Sequence, residues 1–498
     1  MKITLQAPRT GIAQSPHVGI ADIRNFDIDS VEGVAQLNNI LVKKSGTTVT
    51  AQVNWIVRHP VTTTEIYALD DAGTVYKSAN SGSTWAILAG SSSTSAHGNG
   101  LAIWNNYLIV ARDTKLDVCG DGSGTGIVAA NWTLDWQSID SDINYHPLFH
   151  SSLDDKLYGG AGKYVFTIKE VSGQTFDPAS GATYDFTAQH LATIPDGFRI
   201  KCLEELGNNL TIGTFQGTPG NEEREATIFL WDGSSTTYGQ PLRLDTYGIH
   251  AMKFDGNKLI VLAGKDGIIY RSDGASAWAI GQLPQNLSGG KYLEFYPGAL
   301  INYKNKMFFG VGQGGTQTIP GMGVYSLKQS GKGNILNFEH NVSTLSDGSL
   351  KPLKTSALLP VTRDTLLVGW RSDTSYGIDL TLATSYAYTT DYVAYFDSPL
   401  YEIGDELNKW KPTQIAFHLG KPLATGEGIQ VKYRKSLSDS WVTIKTMAFA
   451  DNKVGAMISR VIVTDVDLTV LKGEQIQLRV ALKGTATTTP QFKFLIMK

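Results

Sequence analysis

The sequence predicts an all-β protein: a seven-bladed β-propeller followed by a jelly-roll-like β-sandwich. Three observations predict this fold: a short apolar run that recurs about every 50 residues, tight turns rich in Asn, Asp and Gly, and a change of strand pattern near residue 385. The composition agrees. Only 18% of the residues are charged and 52 are glycines, which favours short strands and many turns over helices.

The repeated unit is a short apolar run opened by a polar residue or turn. Its copies are Glu65–Ala68, Tyr107–Val110, Lys156–Gly159, Asn209–Ile212, Lys258–Val261, Lys306–Phe309 and Thr365–Val368. Before the run comes an alternating strand, often with a two-residue turn such as Asn105-Asn106 or Lys304-Asn305. Four antiparallel strands per repeat are typical of a propeller blade, and blades cover their faces by stacking in a ring. Residues 51–385 are therefore predicted to form the propeller.

Two repeats carry the Asp-box hairpin motif, S-x-D-x-G-x-T-W. The residues assigned to it are Ser78, Asn80, Gly82, Thr84 and Trp85 in the first copy, and Ser272, Asp273, Gly274 and Trp278 in a copy one residue shorter. The Asx side chain is expected to accept backbone N–H groups of the turn, with glycine at the positive-φ position and the tryptophan packed beneath. Because the box occurs in sialidases and in many non-enzymatic propellers, it predicts a fold and no activity.

The two ends of the chain lack this repeat. Residues 1–50 are predicted to be an N-terminal arm, within which Val34–Lys43 forms a hairpin that could complete the last blade and lock the ring. Residues 1–30 have no evident strand partner and are expected to order against a neighbouring subunit. Residues 386–498 show longer alternating strands, such as Gln475–Val480, which predict the β-sandwich.

Charge and composition argue against several classes of protein. The net charge is −3 without a run of basic residues, so nucleic-acid binding is not expected. No apolar stretch is long enough to span a membrane, and the N-terminus shows no secretory signal, which predicts synthesis in the cytoplasm. Cys119 and Cys202 are interpreted as two buried thiols, with a disulfide as the alternative.

No set of residues predicts catalysis, a metal site or a cofactor. Phe198–Ile200 is similar to the F-R-I-P element of sialidases, but the arginines show no triad that could bind a sialic-acid carboxylate. The carboxylate pairs Asp27/Asp29, Asp140/Asp142 and Asp465/Asp467 do not continue into a calcium-binding loop. We therefore expect that the protein is not an enzyme.

Two segments resemble virion proteins of tailed bacteriophages. Ser15–Asp29, followed by Val31–Val34, is similar to the opening of propeller-type tail proteins, and Tyr395–Gly404 looks like the beginning of the β-sandwich that ends them. The resemblance implies a structural protein of the tail, at the nozzle, tip or fibre. It also implies assembly with other tail proteins and with itself, in three-fold or six-fold symmetry, after synthesis in the host cytoplasm.

A second hypothesis is a glycan-binding or glycoside-hydrolysing propeller, such as an adsorption protein or a sialidase-like enzyme. It is compatible with the first, because a tail protein used in host attachment can contact surface glycans. The candidate residues for stacking on sugar rings are Tyr401, Trp410, Tyr433 and Trp441. The alternative is that these aromatic side chains belong to the sandwich core.

Overall fold

In the part of the chain that it describes, the computed structural model contains β-strands and one 3-10 turn, Phe449–Asp451. It describes residues 3–6, 21–28, 34–46, 48–91, 97–123, 125–142, 144–218, 221–222, 225–283, 293–313, 321–330, 333–344, 350–352, 354–382, 385–388, 390–402, 415–451, 460–463 and 475–497. Within these ranges, no helix is long and apolar enough to cross a membrane.

The strands of the first half are β1 Ile3–Gln6, β2 Asp22–Arg24, β3 Phe26–Asp27, β4 Gln36–Leu37, β5 Leu41–Lys43, β6 Val53–Arg58, β7 Ile66–Asp70, β8 Val75–Ser78, β9 Ala86–Ile87, β10 Gly100–Trp104, β11 Tyr107–Ala111, β12 Lys115–Cys119, β13 Trp132–Ser138, β14 Leu148–His150, β15 Leu157–Ala161, β16 Tyr164–Glu170, β17 Tyr184–Leu191, β18 Phe198–Leu206, β19 Asn209–Thr218, β20 Asn221–Glu222, β21 Glu225–Trp231 and β22 Leu242–Tyr247. Those of the second half are β23 Ile249–Asp255, β24 Lys258–Ala263, β25 Ile268–Ser272, β26 Ala277–Gln282, β27 Leu293–Tyr303, β28 Lys306–Gln313, β29 Gly323–Ser330, β30 Gly333–His340, β31 Val342–Thr344, β32 Leu350–Pro352, β33 Lys354–Pro360, β34 Leu366–Ser372, β35 Ser375–Thr381, β36 Ala394–Asp397, β37 Tyr401–Glu402, β38 Ile415–Leu419, β39 Gly428–Arg434, β40 Val442–Ala448, β41 Arg460–Val463, β42 Gln475–Lys483 and β43 Phe492–Met497.

The chain divides into two compact units. The larger unit comprises Lys43–Met322 and Pro352–Leu380, and the smaller comprises Met1–Val42, Gly323–Lys351 and Thr381–Lys498. The smaller unit therefore draws on three separate stretches of the chain, whereas the predicted boundaries at residues 50 and 385 are linear. A linear boundary follows changes in sequence pattern, and these carry no information on which distant stretches pack together.

The larger unit is a succession of antiparallel sheets in chain order. Four-stranded sheets are formed by β6–β9, by β10–β13, by β14–β17, by β18, β19, β21 and β22 with β20 beside β19, and by β23–β26. They are followed by the pair β27–β28 and by β33–β34–β35. The leading strands contact one another in the order β6, β10, β14, β18, β23, β27 and β33, and β33 contacts β6 again. The all-β prediction is confirmed, and this closed circuit of sheets is the arrangement of a β-propeller.

The apolar runs identified in the sequence are the second strands of these sheets. They coincide with β7, β11, β15, β19, β24, β28 and β34. The predicted two-residue turns are also present: φ is 49° and 62° at Asn105 and Asn106, and 52° and 57° at Lys304 and Asn305. Positive φ at both central residues matches the right-handed twist of the flanking strands, which explains the hairpins at these positions.

Apolar seams hold neighbouring sheets together, as between the first five sheets and between the last and the first. In the seam between the last and the first sheets, Val53 and Ile56 pack in one buried cluster with Ala357 and Leu367. Burying one side chain of this size stabilises the fold by roughly 1.5–3 kcal/mol. The residues before the first sheet also reach the last one, because Lys44 N–H donates to Ile378 O at 2.9 Å. The hairpin predicted within Val34–Lys43 is wrong, because β4 pairs with β3 and not with β5. Completion of the last blade by this segment stays a prediction.

Close approach of neighbouring sheets requires glycine at the start of β10. A Cβ atom on Gly100 would lie 1.9 Å from the carbonyl oxygen of His146. We expect Gly100→Ala to lower the free energy of unfolding by about 1–3 kcal/mol, because the backbone must move to admit the methyl group. The control is Gly181→Ala, since a Cβ atom there would meet no heavy atom within 4 Å. Equal stability of the two variants in urea unfolding would show that this contact is unimportant.

The described part of the smaller unit contains two larger antiparallel sheets and the two-stranded sheet β3–β4. One has the strand order β1-β43-β38-β41, and the other has the order β2-β36-β42-β39-β40 with β37 beside β42. Side chains of the two sheets meet in an apolar interior, where the ring centroids of Phe396 and Phe492 are 5.5 Å apart. Phe26 packs edge-on against Phe396 at 5.7 Å.

The N-terminal residues have strand partners, contrary to the expectation for residues 1–30. Ile3 pairs with Met497 in the β1–β43 register, and Asp22 pairs with Asp397 in the β2–β36 register. The prediction failed because strands of three or four residues give no clear periodicity. Their partners also lie hundreds of residues away in the chain.

Candidate functional site

A buried polar cluster lies on the leading strands of the larger unit. Its centre is the carboxylate of Glu294, a residue of β27. Only 12% of the Glu294 side chain is exposed. The hydroxyl of Tyr296 donates to Oε2 at 2.6 Å, and that of Tyr145 donates to Oε1 at 3.2 Å. The ammonium of Lys354, on β33, lies 3.7 Å from Oε2. Three segments far apart in the sequence thus meet at one carboxylate.

A buried lysine and a buried histidine extend this cluster to the two preceding sheets. The Nζ of Lys201 on β18 lies 2.9 Å from Nδ1 of His250 on β23 and 4.6 Å from the ring centroid of Tyr145. Both Lys201 and His250 are buried. Lys201 is thus close to an aromatic face and a neutral imidazole, both of which favour a cation.

Burial and charge together set the ionisation of this cluster. Burial, with the Lys201 charge as the second cause, holds the pKa of His250 well below its ordinary value, so the imidazole is neutral. Burial alone would raise the pKa of Glu294, but Lys354 and Lys201 outweigh it and the pKa is lowered. Burial lowers the pKa of Lys354 although Glu294 opposes that change. The cluster therefore holds an ionised carboxylate between cations, which suits the bracing of neighbouring sheets.

A second buried ion pair lies in the second sheet, and its arginine also contacts the first sheet. Arg112 Nε donates to Asp117 Oδ2 at 2.9 Å, and both residues are almost fully buried. The same guanidinium donates to the carbonyl oxygens of Gly73 and of Ser91, the latter at 2.8 Å. Arg112 thus fastens its own sheet to the loops of the preceding one.

Arg199, in the segment similar to the F-R-I-P element, is occupied in the same way. Its Nε and Nη2 atoms lie 2.9 and 2.6 Å from the two carboxylate oxygens of Asp142, whose side chain is fully buried. This bidentate ion pair occupies the Nε–Nη2 edge of the guanidinium, which is therefore not open to a sialic-acid carboxylate. The local geometry therefore favours a structural role for Phe198–Ile200.

The first Asp-box hairpin has the expected geometry. Ser78 Oγ accepts Gly82 N–H at 2.9 Å, and Asn80 Oδ1 accepts Thr84 N–H at 2.9 Å. Gly82 has a φ of 83°, the left-handed conformation that favours glycine. The buried ring of Trp85 donates through Nε1 to Gly82 O at 3.1 Å. The motif is thus a self-contained hydrogen-bonded turn.

We expect Asn80→Ala to lower the free energy of unfolding by about 1 kcal/mol, the typical net value of one such hydrogen bond. Asn80→Asp keeps the acceptor oxygen for Thr84 N–H and is expected to stay close to wild type. Urea unfolding of both variants checks this. A loss in the aspartate variant as large as in the alanine variant would contradict it.

The shorter copy keeps the turn but not the buried tryptophan. Ser272 Oγ accepts Gly274 N–H at 3.0 Å, and Asp273 Oδ1 accepts Ser276 N–H at 2.8 Å. Trp278, however, is 41% exposed, contrary to the prediction that it packs beneath the hairpin. One residue fewer before the tryptophan turns its side chain to the other face of the strand, since successive residues alternate between faces.

The aromatic residues proposed to stack on sugars occupy different environments. Two guanidinium groups lie over the ring of Trp441: the Cζ atom of Arg479 is 4.2 Å from its centroid and that of Arg434 is 4.6 Å away. Tyr433 is buried and Tyr401 is half-buried. This geometry favours structural roles for these three side chains. Trp410 lies outside the described residues.

The same arginine takes part in a charged cluster of the smaller unit. Arg479 forms a bidentate ion pair with Asp397, at 2.7 and 2.8 Å, and its Cζ atom lies 3.5 Å from the ring centroid of Tyr395. Tyr395 OH donates to Asp22 Oδ2 at 3.3 Å, and Arg24 Nε donates to the same oxygen at 2.9 Å. These contacts join the N-terminal strand β2 to the strands β36 and β42.

Both cysteines are free and buried, as the sequence favoured. Burial raises the pKa of the Cys119 thiol to about 12, so it is not reactive as a thiolate near neutral pH. No group of three or more His, Cys, Asp or Glu side chains is placed to hold a metal ion within the described part of the chain.

Sequence reasoning missed the cluster around Glu294. The available signal was a charge directly flanked by apolar residues, as with Lys201 between Ile200 and Cys202. Such a charge is unfavourable unless it is paired in the interior, so it marks a position with a partner elsewhere. It does not identify the partner.

Comparisons with solved structures return several propellers. The beta-propeller domain of Cps50 (Swd1) from Myceliophteria thermophila is 9% identical, with a TM-score of 0.44 and coverage of 68% of this chain and 98% of that chain. YCF48 from Cyanidioschyzon merolae is 11% identical, with a TM-score of 0.43 and coverage of 69% and 98%. The RRP9 WD40 repeats are 13% identical, with a TM-score of 0.43 and coverage of 69% and 98%. No family model and no curated protein matches the sequence.

Proposed function

We propose that this protein is a non-enzymatic structural component of the tail of a tailed-bacteriophage virion. In this proposal a seven-bladed β-propeller and a jelly-roll-like β-sandwich assemble with other tail proteins at the nozzle, tip or fibre. The number seven is supported by the seven second strands and by the contacts that return from β33 to β6. The sandwich is supported by the two sheets of the smaller unit and by the contact between Phe396 and Phe492.

The observation that carries the proposal is the pairing of the two segments that resemble tail proteins. β2 lies in the segment Ser15–Asp29, β36 continues into the segment Tyr395–Gly404, and the two strands are antiparallel neighbours. The two segments are far apart in the sequence and resemble the same family. Their pairing in one sheet supports the interpretation that the resemblance reflects a common structure. The charged cluster of Asp22, Arg24 and Arg479 lies at this junction.

The structure explains why asparagine suits position 25, in the Arg-Asn part of the N-terminal segment. It is fully buried with a φ of 58°, a conformation that Asn tolerates better than most residues. Its Nδ2 atom donates to Asn341 Oδ1 at 2.7 Å, and its Oδ1 atom accepts Asn341 N–H at 3.0 Å. This reciprocal pair fixes the end of β2 within the smaller unit.

The test of the proposal is assembly. The purified chain is expected to form closed oligomers of three or six copies in light scattering and electron microscopy. In a phage that encodes the chain, disruption of its gene should give incomplete tails that the wild-type gene restores. Asn25→Ala should restore fewer tails than Asn257→Ala, which changes an exposed turn residue. A strictly monomeric chain, in a phage that builds infectious tails without it, would refute the proposal.

We also expect no turnover of sialosides or common glycosides by the purified protein. The sequence shows no arginine triad and no matched acid and nucleophile. Release of a chromogenic aglycone, measured over hours at several pH values, checks this. Turnover that a single carboxylate substitution abolishes would contradict the structural role.

A further inference from the structure

A cleft lies between the fourth and fifth sheets of the larger unit. It has a volume of about 560 Å³ and is bordered by the loop 232–241, by Asn209 and by the short turn at Gly274 and Ala275. The loop connects β21 to β22, whereas the turn connects β25 to β26. All of these residues belong to the larger unit.

The cleft arises from a difference in the lengths of two equivalent connections. The connection of the fourth sheet runs from residue 232 to 241, and that of the fifth sheet runs only from 273 to 276. Because the turn of the fifth sheet is short, it leaves the facing side of the loop 232–241 uncovered, and the cleft lies there. Gly274, with a φ of 91°, adds no side chain at this place, where a Cβ atom would come within 3.0 Å of Leu206.

Neutral polar groups converge on this cleft. Asn209, Thr237, Tyr238 and Gln240 are among the residues that line it, and their side chains form no hydrogen bond to another residue of the described ranges. The ring of Tyr238 is fixed against Phe229, with centroids 4.6 Å apart. Amides and hydroxyls of this kind match the donors and acceptors of a ligand rich in hydroxyl groups.

The single carboxylate of the lining is committed to its own loop. Asp232 Oδ1 accepts the N–H groups of Ser234 and Ser235 at 2.9 and 2.7 Å, and Oδ2 accepts the Ser235 hydroxyl. The bonds from Ser235 and Ser234 hold the pKa of Asp232 far below its ordinary value. Asp232 therefore stays ionised and does not supply a proton. Glycoside cleavage commonly requires an acid and a second carboxylate, so the lining suits binding without hydrolysis.

The apolar residues of the cleft, together with its polar groups, indicate the class of ligand. Pro241 and Leu242 provide an apolar surface beside the amides and hydroxyls. A saccharide has both an apolar C–H face and a hydroxyl edge, which corresponds to this combination. The ionised Asp232 disfavours an anionic ligand.

We infer that the cleft between the loop 232–241 and the turn at Gly274 binds a neutral saccharide without cleaving it. This goes beyond the assembly role and does not depend on it, because the cleft is formed by the larger unit alone. It also differs from the aromatic residues of the smaller unit that the sequence offered as sugar contacts.

The experiment measures binding of glucose, galactose, N-acetylglucosamine and rhamnose to the full-length protein by saturation-transfer NMR and titration calorimetry. At least one of them is expected to bind in the millimolar range. Ala275→Trp fills the cleft and should weaken that binding at least tenfold. Its control is Ala179→Trp, because Ala179 N–H donates to Asp177 in the same way that Ala275 N–H donates to Asp273, but outside the cleft.

A second variant tests whether weaker binding could come from misfolding of Ala275→Trp. Gln240→Ala removes one amide from the cleft and should also weaken binding, whereas Gln174→Ala on another exposed loop should not. Thermal unfolding of all four variants confirms that they are folded. Absence of binding by all four sugars, or binding that is unchanged in Ala275→Trp and Gln240→Ala, overturns the inference. Failure of the assembly test alone leaves this result unaffected.

Discussion

Glu294→Gln is expected to lower the free energy of unfolding by about 3–5 kcal/mol. Glutamine keeps the shape of the side chain but removes the negative charge, which lies 3.7 Å from Lys354 and also interacts with the charge of Lys201. Removing one partner of a buried set of charges leaves the others poorly compensated, which costs more than the net contribution of an intact pair. Urea unfolding followed by tryptophan fluorescence measures the effect.

The control is Glu402→Gln, which neutralises an exposed glutamate. It is expected to change stability by about 0.5 kcal/mol or less. If the two variants were equally stable, the cluster on the leading strands would not brace the larger unit.

The pH dependence of stability gives an independent check on the same cluster. The folded-state pKa of Glu294 is lowered, so its stabilising contribution is present above its ordinary value of 4.5 and is lost as the pH falls through the folded pKa. The folded-state pKa of His250 is also lowered, so the unfolded chain takes up a proton below 6.5 that the folded protein does not bind. Wild-type stability should therefore decrease in both ranges. Glu294→Gln should keep the decrease that begins near pH 6.5 and show a smaller decrease below pH 4.5, where other carboxylates such as Asp232 still contribute.

The second large effect is expected for Arg112→Met. It should lower the free energy of unfolding by about 3–5 kcal/mol, because Asp117 would keep a buried charge without its cation. The buried carbonyl acceptor of Gly73 and the half-buried one of Ser91 would lose their donor as well.

The double variant Arg112→Met/Asp117→Leu makes this prediction sharper. Replacing both members of a buried ion pair by apolar side chains is often neutral or stabilising relative to removal of one. The double variant should therefore be more stable than Arg112→Met. A double variant that loses the sum of the two single effects would show that the residues act independently.

Local features of the fold could be predicted from the sequence. The run Tyr107–Val110 is a second strand, the turn Asn105-Asn106 has two positive φ angles, and the Asn80 box forms its expected hydrogen bonds. Each of these depends on residues close together in the chain, so periodicity and turn chemistry are sufficient to identify them.

The buried charges could not be predicted, because they depend on closure of the circuit of sheets. Glu294, Lys201 and Lys354 lie on different sheets, and nothing in the sequence around each charge identifies its partner. The pairing of Ile3–Gln6 with β43 escaped prediction for the same reason. In both cases the partner is determined by tertiary geometry.

The seam between β33 and β6 also has a consequence for synthesis of the chain. About 300 residues separate Val53 from Lys354 (354 − 53 = 301), and ribosomes add roughly 5–20 residues per second. The last sheet is therefore synthesised roughly 15–60 s after the first. Until then, the face of the first sheet that carries Val53 and Ile56 is not covered by Leu367. During that interval the nascent chain is an open array with an exposed apolar end, so chaperone binding and aggregation should compete with folding until the final sheet emerges.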